Sequence, residues 1–199
     1  MFYLSIRNKK EWVGNSVFLP IYNNVYWRNN LNIASFLIIT FSAIITATNE
    51  DVAILYNYLE KVSDWGYFEL AMYTNCLSFF ENNYLSFNLK DTLTQFEKFK
   101  TCYKYKLVLI KFLINSLILS FERGTYDKIP ELLKALYAES EDSDFMKGRI
   151  YWKFFTSLYH AITGDFEIDS TIYIDMLDLL GYENDAQNMK DIEQSIRNP

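Results

Sequence analysis

His160 is the only histidine in this chain of 199 residues. A relay in which imidazole moves a proton between an acid and a serine or thiol nucleophile would have to use it. Neither Cys76 nor Cys102 falls near His160 in the register of the helical pattern, so no Cys-His pair is expected. The acidic side chains toward the end, among them Asp175, Asp178, Glu183 and Asp185, lack the alternating oxygen-ligand order of a calcium loop. The sequence holds no GxGxxG or GxxxxGK phosphate loop and no CxxC metal pair. Catalytic, metal and cofactor chemistry are therefore not called for, and an enzyme is the rival reading that rests on His160 alone.

The residues that could do chemistry are instead polar side chains recurring at helical spacing inside otherwise apolar segments. One face of the first such segment carries Arg28, Asn32, Ser35, Ser42 and Thr46, interrupted by Ile39. The second carries Ala71, Asn75, Ser78 and Asn82. The third carries Lys104, Val108, Lys111, Asn115 and Glu122, and the fourth Arg149, Lys153, Thr156, His160 and Thr163. All follow i, i+3/i+4, i+7 spacing. Ser35, Asn75 and Asn115 are successively 40 residues apart, and Thr156 lies one off that period. Stacked repeats would align these stripes into a groove. There Asn75 and Asn115, each offering a donor and an acceptor, suit the N–H and C=O of an extended peptide. Lys111, Arg149 or Lys153 suit a carboxylate, and Met72, Phe79, Leu119, Tyr151 and Phe155 would supply apolar pockets. The plainer alternative is that small and polar residues only let the helices approach closely.

The elements that would position these stripes form a repeat. Turn and cap signals recur at Thr48 to Asp51, at Asn88 to Asp91, at Gly124 to Asp127 with Pro130 tolerated in the first helical turn, and at Gly164 to Asp169. Each follows a long apolar segment and precedes a shorter amphipathic one. Long helices are expected at 31–47, 66–82, 104–122 and 145–163, and short ones at 51–62, 89–100, 127–139 and 168–180. The period is close to 40 residues. A last helix over 184–197, after a stop at Gly181, would cap the array. The expected fold is all-α, four tandem hairpins and a closing helix over residues 31–199. Residues 1–30, where asparagines alternate with Phe18, Tyr22, Tyr26 and Trp27, form a partly ordered lead-in.

Bulk composition agrees. Apolar residues make up 50% and charged residues 22%, with 16 Phe and 16 Tyr against only 6 Gly and 3 Pro, too few breakers for a strand-and-turn architecture. A net charge of −6 and a pI near 4.9 argue against a chain that neutralises phosphates, so direct nucleic-acid binding is not expected. Charge is uneven: Lys98 to Arg123 holds six basic residues and one acidic, whereas Asp165 to Ser195 holds nine acidic and one basic. The apolar runs Ile33–Ala47 and Leu107–Phe121 fall short of the roughly 20 residues a membrane span needs. With no signal-like start and two thiols inside helical patterns, the chain reads as cytoplasmic.

The stretch Asn57 to Leu77, containing Trp65-Gly66-Tyr67-Phe68-Glu69 just before a helix with Asn75, resembles the signature of the Rgg/GadR/MutR family of Firmicute transcriptional regulators. Lys106 to Asn115 and Gly124-Thr-Tyr-Asp-Lys-Ile-Pro-Glu-Leu-Leu are similar to later helices of that family. The resemblance runs from about Asn32 to the C-terminus. It implies a tetratricopeptide-like right-handed superhelix that dimerises, binds a short hydrophobic signalling peptide on its concave face and controls an attached helix-turn-helix, with Asn75 and Asn115 as peptide-backbone contacts. Residues 1–31 are too short and too rich in asparagine and aromatics for such a helix-turn-helix, so the chain alone is not expected to bind operator DNA. Three readings are compatible with the sequence: the sensing domain of a truncated or split regulator, a freestanding module that binds peptide as a homodimer or pairs with a full-length relative, and a helical scaffold without a small ligand.

Overall fold

The computed structural model describes residues 49–164 and 170–197, and among them every regular element is a helix. In chain order these are α1 (Asn49–Lys61), α2 (Tyr67–Cys76), a 3-10 turn (Leu77–Phe79), α3 (Asn82–Glu97), α4 (Tyr103–Glu122), α5 (Ile129–Glu139), a second 3-10 turn (Ser143–Phe145), α6 (Met146–Thr163), α7 (Thr171–Leu179) and α8 (Glu183–Arg197). The alternation of long and short helices expected from the turn signals is present from α4 to α7, at 20, 11, 18 and 9 residues, whereas α2, expected long, has 10 residues and α3, expected short, has 16. The helix expected over 31–47 and the lead-in 1–30 lie outside the described residues. α1 belongs to a compact unit ending at Asp64, and the helices from Trp65 onward form a second unit. Within α1, Leu55 and Leu59 are buried one turn apart.

In the second unit α4 is the axis, packing against α2, α3, α5, α6 and α8. Its sequence explains this position. Ile110, Phe112, Leu113, Ile114, Leu117, Ile118, Leu119 and Phe121 leave almost no polar side, and all are buried. A helix apolar all round must be enclosed, and here protein encloses it. No described helix is long and apolar enough to cross a membrane.

Aromatic residues fill the space on both flanks of α4. On one, Tyr73 packs against Phe80 and Phe112, with ring centroids 5.3 and 5.9 Å away, and Phe112 meets Phe96 at 5.7 Å. On the other, Phe155 stacks on Phe121 at 5.5 Å and touches Tyr151 and Phe154. Such rings bury large areas and favour offset or tilted contacts, which accounts for the aromatic richness of the chain.

The helix expected over 66–82 ends early, at Cys76, and α3 begins at Asn82 rather than at 89. Tertiary partners for the freed carbonyls make this early stop possible. Asn115 Nδ2 donates to the Thr74 carbonyl (3.0 Å), and the Arg123 guanidinium donates to the carbonyls of Ser78 (2.8 Å) and Phe80 (2.7 Å). Orphan carbonyls at a helix end need such partners, and α4 provides them. The start of α2 is fixed locally: the Gly66 N–H donates to the Glu69 carboxylate at 3.0 Å, and the Trp65 ring packs on Tyr73 at 5.2 Å.

Gly124, with φ +65°, ends α4 in a left-handed turn closed by Thr125 N–H to Ser120 C=O at 2.9 Å. Gly148 serves a different need, because Ile110 of α4 and Ser140 at the end of α5 press against its backbone. A Cβ there would stand 3.1 Å from both Ile110 Cγ2 and Ser140 Cβ. Gly148→Val is expected to lower stability by about 1–3 kcal/mol through overpacking, read as an earlier urea midpoint; an unchanged midpoint would mean that α6 can shift outward freely.

Candidate functional site

The polar residues of α2 and α4 converge on one spot. Lys111 and Asn115 stand one turn apart on α4, facing the last turn of α2. Lys111 Nζ donates to Asn75 Oδ1 at 2.7 Å, and Asn115 Nδ2 donates to the Thr74 carbonyl. Asn115 is only 3% exposed, and its Oδ1 is buried without a hydrogen-bond partner. A buried acceptor left unmade costs about 1–3 kcal/mol, and native proteins tolerate few of them.

Lys111 adds a second unusual feature beside the first. Burial pushes its ammonium down to about 8, and among the described residues no carboxylate pairs with it. At neutral pH it is still a cation, partly desolvated and satisfied by one neutral amide. The pair therefore offers an N–H donor carrying positive charge next to an unused carbonyl acceptor. That combination fits a carboxylate and an amide N–H on one ligand. A cation and an amide make no metal site, and no group of three or more metal-ligating side chains exists among the described residues.

The other residues singled out in the sequence are placed as follows. Ser35 lies outside the described residues. Ser78 and Phe79 sit in the 3-10 turn after α2, both half-buried, and Ser78 contributes its carbonyl to the Arg123 clamp. Met72, Leu119 and Tyr151 are 2%, 3% and 0% exposed, so in this conformation they are packed core with no surface to offer a ligand.

Arg149, Lys153 and Thr156 are not brought to the Asn75–Lys111–Asn115 cluster. Arg149 Nε donates to the Ser140 carbonyl at the end of α5 (3.1 Å), and its guanidinium lies 4.2 Å over the Tyr137 ring. Lys153 lies exposed over Trp152, and Thr156 turns back onto the Trp152 carbonyl. Tyr151, two positions beyond Arg149 and so about 200° around the helix, points instead to α8 and donates to Asp185 Oδ1 at 2.8 Å. Arg149 and Tyr151 therefore cannot line one groove together. His160 is half-buried beside Tyr159, with ring centroids 6.5 Å apart.

Two polar arrangements had no clear sequence signal. The first is the Arg123 clamp, hinted at only by a cation next to a helix-ending glycine. The second joins α6 to α8: Asp185, 7% exposed, accepts from Lys147 Nζ and from the Tyr151 hydroxyl. Burial, then the Asp185 charge, holds the Tyr151 phenol well above its usual range, and burial outweighs Asp185 in lowering Lys147. Burial pushes the Cys76 thiol up to about 12, so it is no activated nucleophile, and Cys102 lies exposed at the start of α4.

The structure thus defines a protein of tandem helical hairpins in which polar side chains cap neighbouring helices and one cation-amide cluster is left incompletely satisfied. Residues 21–191 match the family model described as the C-terminal domain of the HTH-type transcriptional regulator Rgg. The chain belongs to that family, as the Trp65–Asn75 block implies, and it is a regulatory domain of an Rgg-type regulator. No curated protein matches it.

Proposed function

We propose that this domain senses a short hydrophobic peptide and works as a dimer, with Lys111 holding the peptide's terminal carboxylate and Asn115 Oδ1 accepting a backbone N–H. The observation that carries the reading is the buried, unpartnered Asn115 Oδ1 one turn from a desolvated Lys111 that has no counter-ion among the described residues. A protein keeps such a costly pair where a ligand completes it. Asn75, exposed and bonded to Lys111, holds the ammonium in place and exchanges that bond when the carboxylate arrives. Apolar flanks would come from Phe79 and from surface not enclosed in the core.

The test is native mass spectrometry of the full chain with a pool of short apolar peptides, prepared once with free carboxyl ends and once amidated. Free-acid peptides are expected to bind, with at least tenfold loss on amidation, since a charge-assisted hydrogen bond is worth about 1.5–3 kcal/mol. Asn115→Ala is expected to weaken the same peptides by a comparable factor. Equal binding of acid and amide pools would remove Lys111 from the site. The alternative is a helical scaffold without a small ligand, favoured by exposed apolar side chains such as Leu179, Leu180 and Tyr182.

A further inference from the structure

The Lys111 side chain is enclosed at its base and reachable at its tip. It leaves α4 on the same face as Val108 and Asn115, both buried, and is itself half-buried. Its Nζ ends 2.7 Å from Oδ1 of Asn75, an exposed residue, so the amine lies at the edge of solvent where a small molecule can meet it. Where Lys100 has Glu97 and Lys147 has Asp185, no carboxylate among the described residues pairs with Lys111.

Two consequences follow for the nitrogen. Its charge is desolvated without compensation, and burial pushes the ammonium down to about 8. A solvated lysine keeps its proton to about 10.4, so at neutral pH Lys111 holds on the order of 10²-fold more free amine. Its one bond, to Asn75 Oδ1, is made through an N–H and leaves a lone pair on the neutral nitrogen unused.

We propose that Lys111 is a modification site for small acyl groups, which its amine takes directly from acyl phosphates, and that the acylated chain no longer holds a ligand carboxylate there. The Nζ lone pair attacks the acyl carbonyl carbon, a C–N bond forms and the C–O bond to phosphate breaks. The phosphate leaves with that electron pair and with the proton the nitrogen gives up. Half-burial of the side chain selects a compact donor over a long thioester carrier. The product suits its place: a neutral amide replaces a desolvated charge, which removes the cost of burying it, and its N–H can keep the bond to Asn75 Oδ1. Loss of the carboxylate partner rests on the peptide reading above, whereas the modification site does not.

The test is incubation of the full chain with acetyl phosphate at neutral pH, with acetylation of each lysine followed in time by peptide-mapping mass spectrometry. Lys111 is expected to react at least tenfold faster than exposed Lys100 and Lys104. The whole excess of free amine is not realised, because nucleophilicity falls with basicity. In denaturing urea the preference should vanish, since it is made by the fold. Lys111→Gln, which carries a neutral amide like the product, should raise the urea midpoint, and acetylation of the wild type should raise it likewise. Acetylation of Lys111 no faster than that of Lys100 and Lys104, in a chain that circular dichroism shows to be folded, would overturn the modification site. Free-acid peptides should bind the acetylated chain at least tenfold more weakly than the unmodified one. Equal binding before and after would overturn the switch alone, and no binding by either form would overturn the peptide reading and the switch with it. In both cases the selectivity of acetylation decides the modification site by itself.

Discussion

Asp185→Ala is expected to lower stability by about 2–4 kcal/mol and to loosen α8 first. Removing one member of a buried ion pair leaves the other charge uncompensated, a loss of about 3–5 kcal/mol when both are enclosed. The lower figure applies here because the Lys147 side chain keeps 26% of its surface in solvent. The Tyr151 hydroxyl, in a side chain with no exposure, loses its acceptor at the same time. The other described anchors of α8 are its buried apolar residues Ala186, Met189 and Ile192 and the hydrogen bond that Ser170 Oγ donates to the Glu193 carboxylate. Urea unfolding should show an earlier midpoint, and amide exchange should accelerate most across residues 183–197. The combination Asp185→Leu, Lys147→Met, Tyr151→Phe should recover most of the loss, as apolar groups of similar volume replace a buried polar set at little net cost. If Asp185→Ala left both the midpoint and α8 exchange unchanged, the triad would count as a solvated surface pair.

Lys111→Met is expected to act in opposite directions on stability and binding. Folding takes the Lys111 ammonium out of water without a counter-ion among the described residues, so methionine, similar in shape and uncharged, should stabilise the domain. A gain on the order of 1–2 kcal/mol is expected at pH 7, discounted for the part of the side chain that stays solvated. The sign of the pH dependence follows from linkage. The native amine releases its proton near 8, whereas the unfolded one holds it to about 10.4. The unfolded state binds more protons across that window, so the Lys111 contribution to stability rises with pH from about 8 to about 10.4. The difference between Lys111→Met and wild type should therefore be largest at neutral pH and shrink through that range, measured by urea titrations at successive pH values. Binding of free-acid peptides should fall at least tenfold in the same variant. A variant both less stable and equally competent in binding would show that Lys111 is an ordinary structural lysine.

The first of these expectations concerns residues with no sequence signal as a set. Lys147, Tyr151 and Asp185 are separated by up to 38 positions, and nothing local in α6 or α8 announces their meeting. Lys111 and Asn115, by contrast, were legible as polar interruptions at helical spacing in an apolar segment, and the 40-residue offset to Asn75 correctly placed α4 beside α2. That offset failed for the fourth stripe. The period equates positions along successive hairpins but does not say how each helix is rotated, and α6 is turned so that Arg149 caps α5 while Tyr151 faces α8.

What the sequence determined by itself was the helical hairpin layout, the family, and the enclosure of α4, because these follow from local quantities: apolar periodicity, glycine stops and a near-continuous apolar surface that water would not tolerate. Only the tertiary structure decided that α2 ends at Cys76, that Arg123 and Arg149 bond the end carbonyls of neighbouring elements, and that Asn115 keeps an unused oxygen. Each of these depends on which distant carbonyl or carboxylate comes within about 3 Å of a donor, a matter set by how the helices pack against one another.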